Sequence, residues 1–277
     1  MMKLSTIETG FFQSDGGAIF GLVPKTIWSR LYPSDPNNRC EMSMRCLLAY
    51  TDDRRILFDT GAGNKEDART IPYHFHNLTD LREAIQKKGI KPEEITDIVL
   101  SHLHFDHCGA LSHLDKEGHL CESFPNATYH ISRRQWEHHL NPSQFDRNAY
   151  IAENTSFLTT NRRLHLIDSD FQLTNQIRLS IYEGHTPGQI VSFIQQDEQY
   201  FVFAGDVLPT SLHLRLEAIS AFDSCATISK NEKKRLLEEI REKKARILFY
   251  HDAFVCSAEI KKTGTVFRPV EIKKNKE

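Results

Sequence analysis

"SHLHFDH", residues 101–107, falls at the end of the stretch "ITDIVLSHLHFDHCGA". Three histidines and one aspartate (His102, His104, Asp106 and His107) lie within six consecutive positions. An apolar β-rich run before them and a glycine after them place the cluster where a strand gives way to a turn. His102 and His104 are two apart, so an extended chain points both to one side. Asp106 and His107 lie past the bend and can address a second point a few ångströms away. The chain holds 14 histidines, so a single one reads as packing or surface. Four metal-binding side chains in one run do not.

Three later strand ends or turns carry the same residue types: His185 in "EGHTPG", Asp206 in "FAGDV" and His251 in "FYHDAF". Imidazole and carboxylate ligands suit zinc, iron or manganese, and the absence of clustered thiolates argues against a structural cysteine–zinc site. A two-metal centre spaces its ions about 3.5–4 Å apart, which this pattern can serve. The expected cofactor is two divalent metal ions, zinc first, with iron or manganese as alternatives. Cys108 beside the cluster reads as packing.

Short apolar runs recur at 44–50, 55–61, 97–102, 127–132, 177–182, 190–195, 200–206 and 245–252. Two helical patterns lie among them. Leu81, Ala84 and Ile85 form a stripe with Thr79 as the expected N-cap and Gly89 as the stop. Ser229 and Glu232 read as a capping box ahead of Leu236, Leu237 and Ile240. Strands mixed with amphipathic helices give the α/β class. No linker or repeat divides the chain, so one domain over 1–277 is expected. A faint symmetry joins the halves. In each, one apolar strand ends at an Asp beside a Gly ("ILFDTG", "VFAGDV") and a later one ends in His and Asp.

The chain is 39% hydrophobic and 26% charged, with a net charge of −2, which reads as globular and gives no reason to expect nucleic acid as a partner. The basic end "EIKKNKE" reads as a solvated tail. No run approaches the roughly 18 apolar residues of a membrane span, and the N-terminus lacks the unbroken apolar core of a signal peptide. Six scattered cysteines without an export signal fit reduced thiols, so a cytoplasmic location and a small-molecule substrate are expected, with no membrane partner.

The ordered pattern H-x-H-x-D-H, then His185, Asp206 and His251, resembles the metallo-β-lactamase superfamily over nearly the whole chain. The resemblance implies an αββα sandwich, two mixed sheets flanked by helices, with a one- or two-metal site at one edge. It implies that His102, His104 and His185 hold the first metal, that Asp106, His107 and His251 hold the second, and that Asp206 bridges both. Asp59 in "LFDTG" matches the position that orients a ligand by hydrogen bonding. A metal-bound water loses its proton near neutral pH, so no serine or cysteine nucleophile is needed, and the chain has no G-x-S-x-G elbow. The implied chemistry is hydrolysis by hydroxide bridging the two metals, with Asp106 relaying a proton.

Within that superfamily the sequence is most similar to the group of quorum-quenching acyl-homoserine-lactone lactonases and methyl-parathion-hydrolase-like enzymes, on "SHLHFDH", "GHTPGQ", "FAGDVLPT", "FYHDAF" and "YHFHNL". A lactone or other carboxylic ester is the expected substrate. A phosphotriester or phosphodiester, or metal binding without turnover, are the alternatives. One departure stands out: Pro209 occupies the place of the tyrosine that contacts the substrate carbonyl in well-known lactonases. His213 is the expected substitute donor, and Phe20, Trp28, His74, Phe75 and His76 are expected to line the substrate pocket. The stretch 10–28 is expected to serve a homodimer interface, a lid, or both. Only 26 residues follow His251, too few for the helical substrate domain of glyoxalase II-like thioester hydrolases.

Overall fold

A computed structural model describes residues 2–160 and 162–274 of the chain. The polypeptide divides into two compact units. One holds the chain up to Phe11 together with Met44–Ser169, the other Phe12–Ser43 together with the chain from Asp170 onward.

The first unit holds most of a six-stranded sheet in the order β1-β2-β3-β4-β7-β8, the end of β1 and the start of β2 being assigned to the second. Its strands are β1 (Lys3–Asp15), β2 (Arg39–Tyr50), β3 (Arg55–Phe58), β4 (Asp97–Val99), β7 (Thr128–Ser132) and β8 (Leu164–Ile167), and a small ribbon is formed by β5 (Ser112–Leu114) and β6 (Leu120–Glu122). β2 and β3 are antiparallel, whereas β3, β4, β7 and β8 run parallel. Parallel strands are covered on both faces, which is why Ile56, Leu57, Phe58, Ile98 and Val99 form unbroken apolar runs and are all buried.

The second unit carries a seven-stranded sheet in the order β15-β14-β13-β12-β11-β10-β9. These strands are β9 (Phe171–Thr174), β10 (Ile177–Tyr182), β11 (Gln189–Gln196), β12 (Gln199–Phe203), β13 (Arg246–Leu248), β14 (Val255–Thr263) and β15 (Val266–Lys274). Only β12 and β13 among them pair in parallel, and the segment between them is the crossover that parallel pairing requires. It contains the longest helix of the described residues, α6 (Ala226–Glu242), whose Leu236, Leu237 and Ile240 pack with Val191, Val202 and Ile247 of the sheet. Shorter helices are α1 (Gly16–Phe20), α2 (Lys25–Trp28), α3 (Leu81–Gln86), α4 (Phe105–Cys108) and α5 (Arg133–Leu140).

Both sheets are mixed and both units carry helices, which is the expected fold class. Two local expectations, both on helix caps, are corrected, while residues 271–274 of the basic end are exposed as expected. The N-cap of α3 is Asp80, whose carboxylate accepts from Arg82 N, while Thr79 N–H donates to Thr9 O at 3.0 Å. Ser229 and Glu232 lie inside α6, which starts at Ala226, so they form no capping box. Residues 271–274 of the basic end belong to β15, and 275–277 lie outside the described residues. The stretch 10–28 is the end of β1 followed by α1 and α2.

Candidate metal centre

In the first unit the parallel register Phe58↔Val99 brings the ends of β3 and β4 side by side. Asp59 follows β3 in the left-handed region (φ 54°), which Asp tolerates better than most residues, and its N–H donates to Val99 O. Its carboxylate is fully buried. It accepts from Ser101 N–H (2.7 Å), Ser101 Oγ–H (2.7 Å) and His107 Nδ1–H (2.8 Å). The Ser101 hydroxyl spends its proton on Asp59, so it receives His102 Nδ1–H at 3.0 Å. His104 is extended (φ −64°, ψ 150°), and its carbonyl takes the N–H groups of His107 and Cys108 as α4 begins. His102 therefore precedes the turn, the chain bends at His104, and Asp106 and His107 lie in the helical turn. His102 Nε2 and His104 Nδ1 stand 3.0 Å apart, and His107 Nε2 lies 3.9 Å from Asp106 Oδ2.

The second unit repeats the device. The parallel register Phe203↔Leu248 aligns the ends of β12 and β13. Asp206 follows β12 in the turn Gly205–Val207, where Gly205 takes a φ of 49°, and His251 follows β13. His185 sits in the loop between β10 and β11. Its Nδ1–H donates to Asp223 Oδ1 at 2.8 Å, and His251 Nδ1–H donates to Ser43 O at 2.8 Å. Their Nε2 atoms lie 3.4 Å from Asp206 Oδ2 and 3.2 Å from Asp206 Oδ1 respectively. Each oxygen of Asp206 thus faces a different imidazole.

These contacts test the fit to a metal. A carboxylate and a backbone carbonyl only accept, so the Nδ1 atoms of His107, His185 and His251 carry a proton and, in the neutral ring, their Nε2 atoms present a lone pair; His104 instead turns Nδ1 toward His102 Nε2. A lone pair facing a carboxylate oxygen calls for a cation between them. The separations of 3.0, 3.4 and 3.2 Å match the roughly 3.3 Å edge of a tetrahedral zinc shell with bonds near 2.0–2.1 Å. The donor set of each unit fits a divalent ion.

The other selected residues divide. Phe20 and Trp28 are 0% and 1% exposed and pack together, Phe20 also against Tyr32, so they are core aromatics rather than pocket wall. His213 is equally enclosed: Nε2–H donates to Ile19 O (3.1 Å) and Nδ1 accepts from Thr210 Oγ1 (2.8 Å). Burial, reinforced by the Lys233 ammonium, pushes its pKa down to about 3. With its one N–H committed, it has none to offer a substrate, and the expectation of a substitute donor is corrected. Phe75 packs its ring with Tyr73 and Phe105, at the start of α4. His74 is exposed in a left-handed conformation, and His76 is tied by backbone pairing to Phe11. Pro209 is buried, and its carbonyl receives His251 N–H at 2.9 Å.

Asp223, Ser43 and Ser101, the partners of the imidazoles, escaped the sequence reading. Asp223 sits in the mixed stretch "AISAFDSCA" with no periodicity, and Ser43 acts through a backbone carbonyl that any residue would supply. Lys233 also escaped it. Its ammonium is 2% exposed and donates to Arg215 O and Ala218 O. Burial lowers its pKa from 10.5 to about 7. The folded value lies below the unfolded one, so the cost of the buried charge is absent above pH 10.5, grows as pH falls, and is complete below about 7. Lys233→Met is expected to gain about 2–3 kcal/mol of stability relative to the parent chain between about pH 9 and 6, at roughly 1.36 kcal/mol per unit. Urea unfolding of the metal-free proteins at both pH values measures this, and a pH-independent difference would contradict it.

Ligand-type side chains gathered at the ends of parallel strand pairs in a mixed α/β fold define a metallohydrolase. The chain belongs to the metallo-β-lactamase superfamily, whose family model matches residues 45–251, and it is a hydrolase of that family. An N-acyl homoserine lactonase of Bacillus cereus is 26% identical over 234 residues, covering 78% of this chain and 84% of the relative. A probable metal-dependent hydrolase from Staphylococcus aureus superposes with a TM-score of 0.87 at 23% identity, covering 98% of this chain and 97% of its own. AidC, a dizinc quorum-quenching lactonase solved with a product, N-hexanoyl-L-homoserine, superposes with a TM-score of 0.80 at 22% identity, covering 97% and 94%.

Proposed function

We propose that the two units act as a single domain with one dinuclear centre, and that this centre hydrolyses a lactone or another carboxylic ester. His102, His104 and His185 would hold one ion, Asp106, His107 and His251 the other, and Asp206 would bridge them. The observation that carries this reading is Asp206, whose two oxygens each face an imidazole already pinned through Nδ1. The lactonase relatives support the substrate class. Imidazole and carboxylate donors suit zinc, with iron and manganese as alternatives. Bound there, two divalent ions would supply a water of lowered pKa and polarise the ester carbonyl.

The chain's own residues do the rest. Asp59 and Ser43 hold His107 and His251 in the tautomer that leaves Nε2 free of a proton. Asp106, partly buried at the start of α4, takes the proton of the attacking water and returns it to the departing alkoxide. Six free cysteines support a reducing compartment, the cytoplasm. Among the described residues no helix is long and apolar enough to cross a membrane.

Pro209 favours a second reading on the same residues, a phosphotriester or aryl ester as substrate, because no hydroxyl stands at that position. Metal analysis of the purified protein with a panel of lactones, aryl esters, phosphodiesters and phosphotriesters separates the two. Two metals with lactone opening supports the first reading. Two metals with phosphotriester or aryl-ester turnover alone supports the second. One metal or none rejects the dinuclear centre, and a metal-loaded protein inert on the whole panel is a binding module.

A further inference from the structure

We propose that Asp223 is the positioning residue of His185, an assignment that rests on the reading of His185 as a metal ligand. The two side chains are 7% and 4% exposed, and Asp223 Oδ1 lies 2.8 Å from His185 Nδ1. An ionised carboxylate accepts and never donates, so it selects the tautomer protonated at Nδ1 and turns the Nε2 lone pair toward Asp206. Both nitrogens belong to one rigid ring, so a contact that holds Nδ1 also sets the direction of Nε2.

Asp223 is itself held in place by a built support. The chain beside it runs along the His185 loop, with Ser224 N–H donating to His185 O (2.9 Å) and Cys225 N–H to Gly184 O (3.0 Å). Nearly two turns into α6, Glu232 Oε2 accepts from the backbone N–H groups of Glu183 (2.9 Å) and Gly184 (3.0 Å). Glu183 closes the loop by accepting from Gly188 N–H at 3.0 Å. The approach requires a glycine, because a Cβ on Gly184 would stand 2.4 Å from Ser229 Cα. Segment 223–232 therefore fixes the loop's backbone through Glu232 and its imidazole through Asp223. A loop that needed only an anchor would not need the second, buried carboxylate.

The test uses the full chain as purified and after chelation, with Asp223→Asn and Asp223→Glu. In ¹⁵N-histidine correlation spectra of the metal-free parent, His185 is expected to be protonated at Nδ1. Asparagine can donate to that nitrogen, so Asp223→Asn is expected to move the proton to Nε2. Zinc affinity, measured by chelator competition, is expected to fall about 10–100-fold, the usual consequence of losing such a partner. Asp223→Glu, which keeps the acceptor, is expected to recover the Nδ1 proton and part of the affinity even if Asp223→Asn folds poorly. A parent protein with the proton on His185 Nε2, or a folded Asp223→Asn variant with parental zinc affinity, would overturn the assignment. A parent that binds no zinc at all would reject His185 as a ligand, while the spectra still decide whether Asp223 sets its tautomer.

Discussion

Asp206→Asn is expected to lower ester turnover by about 10²–10⁴-fold while leaving the metal-free protein at least as stable as its parent. The two effects have one cause. In the chain without metal, each Asp206 oxygen confronts an imidazole Nε2, at 3.4 Å for His185 and 3.2 Å for His251. With both Nδ1 protons given to Asp223 and Ser43, these contacts set acceptor against acceptor wherever the two rings are neutral. An asparagine amide would donate to one Nε2 and relieve that opposition, so the unfolding midpoint of the metal-free form should hold or rise. With two ions held as proposed the balance would reverse, because the substitution would remove the negative charge common to both. Breaking a largely buried charge pair costs about 3–5 kcal/mol, which at about 1.4 kcal/mol per tenfold gives the stated range. The bound metal should fall from two ions per chain to one or fewer. Parallel unfolding curves, metal analysis and ester assays check the three parts. Parental turnover with two ions retained would show that Asp206 does not bridge.

Much of this geometry was legible in the sequence because parallel strands announce themselves. "RILF" and "DIV" are unbroken apolar runs, and so are "YFVF" and "RIL", since both faces of a parallel strand are covered. Each run stops where the polar ligand types begin, and the parallel registers then align those stops within each unit. The residues the reading missed or misplaced depend on contacts between distant segments. Ser229 and Glu232 satisfy the local capping pattern, yet Glu232 serves the backbone of residues 183 and 184 instead. The aromatics Phe20 and Trp28 lie in a turn-rich stretch where residue type says nothing about burial, and the fold encloses both. His213 was chosen for its closeness in sequence to Asp206, but the ring is consumed by Ile19 and Thr210. β1 escaped because "KLSTIETGFFQSD" alternates only weakly, with buried positions concentrated in its second half.

Asp59 should separate folding from metal binding within one side chain. Asp59→Ala strands three buried donors, Ser101 N–H, Ser101 Oγ–H and His107 Nδ1–H, and places a poor residue at a φ of 54°. A stranded buried donor costs about 1–3 kcal/mol. The Ser101 hydroxyl can turn elsewhere, so the three do not add fully, and the metal-free protein is expected to lose about 3–5 kcal/mol in urea unfolding. Asp59→Asn keeps the shape and the tolerance for left-handed backbone, and its oxygen still accepts from Ser101 N–H. Its amide nitrogen, however, now faces His107 Nδ1 as a donor. The cheapest adjustment moves the His107 proton to Nε2, the atom 3.9 Å from Asp106 Oδ2. This variant is therefore expected to fold with only a modest loss of stability yet bind metal about 10–100-fold more weakly. If Asp59→Asn bound metal as tightly as the parent chain, the tautomer of His107 would not be what Asp59 is there to set. Its buried carboxylate would then be explained by the joint between β3 and β4 alone.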